Sequence, residues 1–232
     1  MESQKMMNEF EERAGEFVVQ SSFFDFWKQS SGNREVTSRF LVAFDSLVKS
    51  FPPLIALGIS RMEDAECRAV LAVNLHQECG EGDCNRSHHA IYRKFLKTSG
   101  LQELPDSEDL PATQWKKRLS DAMTRAEKPG EVLGVLAAGE FLAQPVLGAL
   151  YPALKAHYPQ ADQEYFTTHL SLETEHMREI SHLMTRQAEL ECGWEGILAG
   201  FDQGLSIWGE YFSGLALLLS ASYARHESHG IS

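Results

Sequence analysis

The run His169-Leu-Ser-Leu-Glu173-Thr-Glu-His176 places two imidazoles and a carboxylate at +4 and +7 spacing. On an α-helix those offsets fall about 40° and −20° from the start, so the three side chains form one stripe. Two nitrogen donors and one oxygen donor on a stripe make half of a metal site before any other helix contributes. Glu175, Glu179 and His182 lie roughly 80° to 140° away from it and are expected in solvent or behind the ligands.

Two other places can complete such a site. In Asn74-Leu-His-Gln-Glu78-Cys-Gly-Glu81-Gly-Asp-Cys-Asn-Arg-Ser-His88-His89, a helix end, a glycine break and a new helix start can bring a carboxylate and an imidazole together. Glu78 and Glu81 are both candidate acids, with Glu78 favoured because it sits on the preceding helix. Glu140 is a lone acid among Val132, Leu133, Val135, Leu136, Phe141, Leu142, Val146 and Leu147. A buried carboxylate must be paired, protonated or metal-bound, so Glu140 either joins the site or pairs with an arginine such as Arg61.

The elements that must position these residues read as helices throughout, without strand-like alternation. The pattern predicts helices over about 8–28, 35–50, 53–61, 64–78, 88–97, 112–126, 132–155, 163–191 and 194–225. The second should stop before Pro52-Pro53, Pro145 should kink the seventh, and Asn85 or Ser87 should cap the fifth. Residues 101–111 read as an acidic surface loop, and about 1–7 and 226–232 as tails. The expected architecture is one all-α bundle spanning 1–232, with the site between helices in its core.

With 232 residues, 43% hydrophobic and 23% charged, the chain has the profile of a soluble globular protein. Its net charge of −12 excludes the basic footprint that a nucleic acid or an anionic membrane needs. No signal peptide is expected from Met-Glu-Ser-Gln-Lys-Met-Met-Asn, and the apolar stretch near Leu215–Ala221 is too short to span a bilayer. Cys67, Cys79, Cys84 and Cys192 form no C-x-x-C pair, so free thiols in a reducing cytoplasm are expected rather than structural zinc. The aromatic residues, among them Phe17, Phe23, Phe24, Trp27, Trp194, Phe201, Trp208, Tyr211 and Phe212, are expected mostly in the core, with a few lining a substrate pocket.

Taken together, Phe51-Pro52, then Asn74-Leu75…Glu78-x-Gly80-x-Gly82…His88, then Gly139-Glu140, then His169-x-x-x-Glu173-x-x-His176, resemble the haem-oxygenase-like diiron oxidases and oxygenases. The resemblance runs from about residue 20 to 220. It implies a haem-oxygenase-like helical bundle and two Fe(II) ions held by Glu78, His88, Glu140, His169, Glu173 and His176. Dioxygen would be the co-substrate. The family usually has Asp where this chain has Glu173, which bears on how the second iron is held; Glu81 would be an extra carboxylate. Two ferrous ions carry four formal positive charges against three glutamates, leaving charge for an anionic substrate group or for reduced oxygen.

The resemblance further implies a small-molecule substrate such as an amino acid, fatty acid or related amine, with reactions typical of natural-product biosynthesis. An external electron donor and a homodimer would also suit it. Within the family the chain is most similar to enzymes acting on amino acids, including the nitrile-forming type that converts a halogenated tryptophan into an indole-3-carbonitrile. A ferritin-like site would need a second inward Glu-x-x-His, and Glu179-x-x-His182 falls on the wrong face. A haem oxygenase needs an early proximal histidine, and none precedes His76. Other readings are a thiaminase-like enzyme using Cys192 and a non-enzymatic iron-binding helical protein.

Overall fold

The computed structural model describes the backbone of residues 2–102 and 110–227, and the side chains of 2–102, 111–171 and 176–220. Among the described residues there are helices and no strands. They are α1 (Glu2–Gln20), α2 (Ser22–Ser30), α3 (Arg34–Arg61), α4 (Ala65–Glu78), α5 (His88–Thr98), α6 (Leu110–Arg125), α7 (Pro129–His157), α8 (Glu164–Leu190) and α9 (Glu195–Glu227), with a 3-10 turn at Cys84–Arg86.

Helix α7 is the axis of the bundle. In its first half, Val132, Leu133, Val135, Leu136, Phe141 and Leu142 are buried around the whole circumference, as in a helical stretch enclosed on all sides, while Gln144, Gly148 and Ala149 are exposed further on. It packs against α9, α8, α3 and α1. Its contact with α9 is backbone to backbone: a Cβ on Gly200 would stand 2.0 Å from the Glu131 carbonyl oxygen, which is why this crossing uses glycine.

Local capping chemistry sets several boundaries. The Asn33 side chain accepts from the amides of Glu35 and Val36, Asp64 from Glu66 and Cys67, and Ser87 from Ala90. Asp64 also receives two bonds from the Arg186 guanidinium, at 2.7 and 2.8 Å, so the cap of α4 is tied to α8.

Three expectations are corrected. The single helix expected over 8–28 is broken at Ser21, whose backbone is extended (φ −76°, ψ 124°). The helices expected on either side of Pro52-Pro53 are one continuous α3. Prolines remove two internal hydrogen bonds there, but Val48, Leu54 and Ile55 are buried on both sides of them, and packing outweighs the local break. Residues 2–7 are helical rather than a tail, because Met6 and Met7 are buried against the core. At the other end α9 extends to Glu227, and 228–232 lie outside the described residues. Helices α3 and α7 are long and apolar enough to cross a bilayer, and more than half of that stretch in each is buried inside the bundle.

Candidate metal centre

Glu78 is the last residue of α4 and His88 the first of α5. The chain reverses between them through Gly80 (φ +84°), Glu81 (φ +54°) and Gly82 (φ +94°). Gly80 is required twice over. Its φ favours glycine, and a Cβ would stand 2.2 Å from the Asp83 carbonyl oxygen and 2.5 Å from the Ser87 amide. The tight turn brings Glu78 Oε1 to 2.9 Å from His88 Nδ1, with both side chains buried. Yet Nδ1 is off the line of a hydrogen bond and has no hydrogen-bond partner.

From α8, His169 turns its ring to His88, the centroids 4.4 Å apart. Its Nδ1 donates to the Tyr165 carbonyl at 2.7 Å, which fixes the tautomer and leaves Nε2 as the ligand atom. One donor atom from each of Glu78, His88 and His169 lies within 4.8 Å of the others. Two nitrogens and one oxygen, with a buried nitrogen that lacks a hydrogen-bond partner, fit an iron ion at this position.

The remaining donors face the same cavity. Glu140 on α7 and His176 on α8 line it together with Glu78 and His169. Glu140 Oε2 is 3.8 Å from His176 Nδ1. The arginine suggested for Glu140 is engaged elsewhere, Arg61 donating to the Ala126 carbonyl at 2.7 Å. The side chain of Glu173 lies outside the described residues. Glu81 does not join the group: it is exposed on the turn and absent from the cavity wall.

The electrostatics are those of a desolvated site. Burial alone would push the Glu78 carboxyl up, but the His88 ring beside it, with His169 and His176 nearby, brings it below its ordinary value. Burial, seconded by His88, pushes His169 down to about 4, so its imidazole is neutral and able to ligate near neutral pH. His169 is half-buried and lines the cavity.

Other candidates separate from the site. His89 meets Asp45 at 3.1 Å, and His182 meets Glu66 at 3.0 Å on the surface. Cys79, Cys84 and Cys192 are exposed, Cys67 is buried, and all four are free. Among the described residues only Glu78, His88 and His169 form a group with metal-ligand spacing. Sequence reasoning missed Tyr165, whose position four residues before His169 on one helix was the available signal. It also assigned no role to Asn74 and left Glu179 either in solvent or behind the ligands; each has a buried oxygen.

Beyond the donors the cavity wall is apolar, with Phe44, Phe51, Leu142, Val146, Trp208 and Phe212. The arrangement is a candidate metal-binding floor beneath a chamber of mixed aromatic and aliphatic walls, suited to chemistry on a small apolar molecule.

A profile of the family described as iron-containing redox enzyme matches residues 38–209. Two crystal structures of a CADD-like protein of unknown function from Nostoc punctiforme PCC 73102, at 2.00 and 1.35 Å resolution, share the fold. Their TM-scores are 0.73 and 0.70, with 15% and 13% identity. The alignments cover 93% and 94% of this chain and 99% and 97% of the neighbour. No curated protein sequence matches. The fold is thus all-α and haem-oxygenase-like, and the chain belongs to the family of iron-containing redox enzymes.

Proposed function

We infer that the protein is a non-haem diiron oxidoreductase that uses dioxygen to oxidise a small molecule. The observation that carries this reading is the convergence of Glu78, Glu140, His169 and His176 on one apolar cavity, with His88 beside Glu78, from three chain regions. Glu78, His88 and His169 would hold one ion. Glu140 and His176 would hold the other, with Glu173 from the same helix. Two ferrous ions bound there would supply electrons for the reduction of dioxygen.

The chain's own residues do the rest. The Tyr165 carbonyl keeps the His169 proton on Nδ1 and so directs Nε2 inward. The glycine turn holds Glu78 and His88 in register. The aromatic and aliphatic walls exclude water and grip an apolar body. Among the described residues no lysine or arginine lines the cavity, so a substrate carboxylate would be met by the metal floor rather than by one of these side chains.

The rings of Phe44, Phe51, Trp208 and Phe212 suit an amino-acid-derived substrate with an aromatic side chain. A halogenated tryptophan converted to an indole-3-carbonitrile is the member to test first. A fatty acid is the second reading, favoured by a wall that, among the described residues, has no charged groups beyond the donors. Turnover of either kind would draw electrons from an external donor.

Anaerobic loading with Fe(II) is expected to give about two irons per chain, six ligand groups serving two ions. Admitting oxygen should then produce a transient visible absorption, abolished in His169→Ala and Glu140→Ala. Mass spectrometry of reactions with tryptophans, halotryptophans and fatty acids separates the two substrate readings. A protein that binds two irons and shows no oxygen-dependent absorption, with or without these compounds, refutes the dioxygen chemistry.

A further inference from the structure

Behind the Glu140–His176 pair lies a second, smaller recess between α4 and α8. Asn74, Glu140, His176 and Glu179 line it, among aliphatic side chains such as Leu71 and Leu136. Its free space is about 10 Å³, room for one water-sized sphere. Two oxygens of residues at this recess have no hydrogen-bond donor among the described residues. One is Glu179 Oε2, and the other is Asn74 Oδ1, on a residue only 9% exposed. Gln77 Oε1, a turn further along α4, is likewise buried without a donor.

Orphaned acceptors in one neighbourhood need a common explanation. A carboxylate oxygen buried among other acceptors is costly unless a cation or a proton joins it. Among the described residues no lysine or arginine lines the recess. Glu179 as a whole is half-buried, one oxygen inside and the residue still reaching solvent, which gives a small ion a way in.

The geometry points to a further cation position at Asn74 and Glu179, separate from the two of the candidate centre and on the far side of the wall that Glu140 and His176 share with it. Its donors are hard oxygens, a carboxylate and an amide carbonyl. The matching ligand is a small, hard divalent cation of the Mn(II) or Mg(II) kind. The imidazole-rich group at Glu78, His88 and His169 is chemically distinct. The position rests on the metal-centre reading only through the two shared side chains.

The test is a titration of metal-free protein with Mn(II), free ion being followed by its electron paramagnetic resonance signal. Wild type should show a weaker class of site beside a tight one. Glu179→Gln keeps the shape and removes the charge; it should weaken the weaker class by at least about tenfold and leave the tight class in place. His169→Ala should do the reverse. Superimposable curves for wild type and Glu179→Gln overturn the proposal, even where His169→Ala loses its tight ion. If Glu179→Gln loses an ion and His169→Ala loses none, the recess stands and the reading of the main centre fails. Anomalous diffraction from wild-type crystals soaked in Mn(II) checks the location. A peak bonded to the Glu179 carboxylate supports the site, and peaks found only elsewhere overturn it.

Discussion

Two glycines of the turn between Glu78 and His88 share a backbone conformation and differ in their surroundings. Gly80 has φ +84° and Gly82 φ +94°. Alanine at either position pays about 1–2 kcal/mol for left-handed backbone and regains about 0.4–1 kcal/mol through a less flexible unfolded chain. At Gly82 nothing lies within 4 Å of the added carbon, so Gly82→Ala should cost about 1 kcal/mol. At Gly80 the added carbon meets the Asp83 carbonyl oxygen at 2.2 Å and the Ser87 amide at 2.5 Å. Both neighbours are backbone and cannot swing aside, which adds about 1–3 kcal/mol of overpacking. Gly80→Ala should therefore cost about 2–4 kcal/mol in urea unfolding of the apoprotein. The displaced turn also carries both ligands, whose donor atoms are 2.9 Å apart. Affinity for the first metal ion should fall at least about tenfold in Gly80→Ala and stay near wild type in Gly82→Ala. A Gly80→Ala protein that binds its tight ion like wild type would show that the turn does not set the Glu78–His88 geometry.

The pH dependence of the apoprotein follows from His169, whose folded value of about 4 lies below its ordinary 6.5. Between those values the unfolded chain takes up a proton that the native state refuses, so stability is lost as pH falls from about 6.5 to 4, by up to about 3 kcal/mol. The lowered Glu78 acts in the same direction, since its contribution is present above the ordinary carboxylate range and disappears in acid. Urea midpoints at pH 7 and 5 should separate in wild type and draw closer in His169→Gln; equal separations in both would contradict this. Burial also pushes the Cys67 thiol up to about 11. A thiol reagent should label Cys79, Cys84 and Cys192 quickly in the folded protein and Cys67 only on unfolding. Fast labelling of all four cysteines would mean that the α4–α8 contact opens readily.

What could be read from the sequence was local. The +4 and +7 spacing of His169 and His176 depends only on helix pitch, and the structure aims both imidazoles into one cavity. The caps at Asn33, Asp64 and Ser87, and the reversal at Gly80, follow from side-chain and backbone chemistry within a few residues. Tertiary structure decided what depends on distant partners. Pro52-Pro53 read as a helix end, but the apolar faces on both sides of it are buried and the helix runs through. Glu81 and Glu78 are three residues apart and chemically alike; the left-handed turn sends one to solvent and keeps the other in the core. The angle of Glu179 on α8 left it either in solvent or behind the ligands, and the approach of α4 buried one of its oxygens in the recess that Asn74 also lines. Helical phase says which way a side chain leaves its own axis, and only the packing of another helix determines whether water or protein is waiting there.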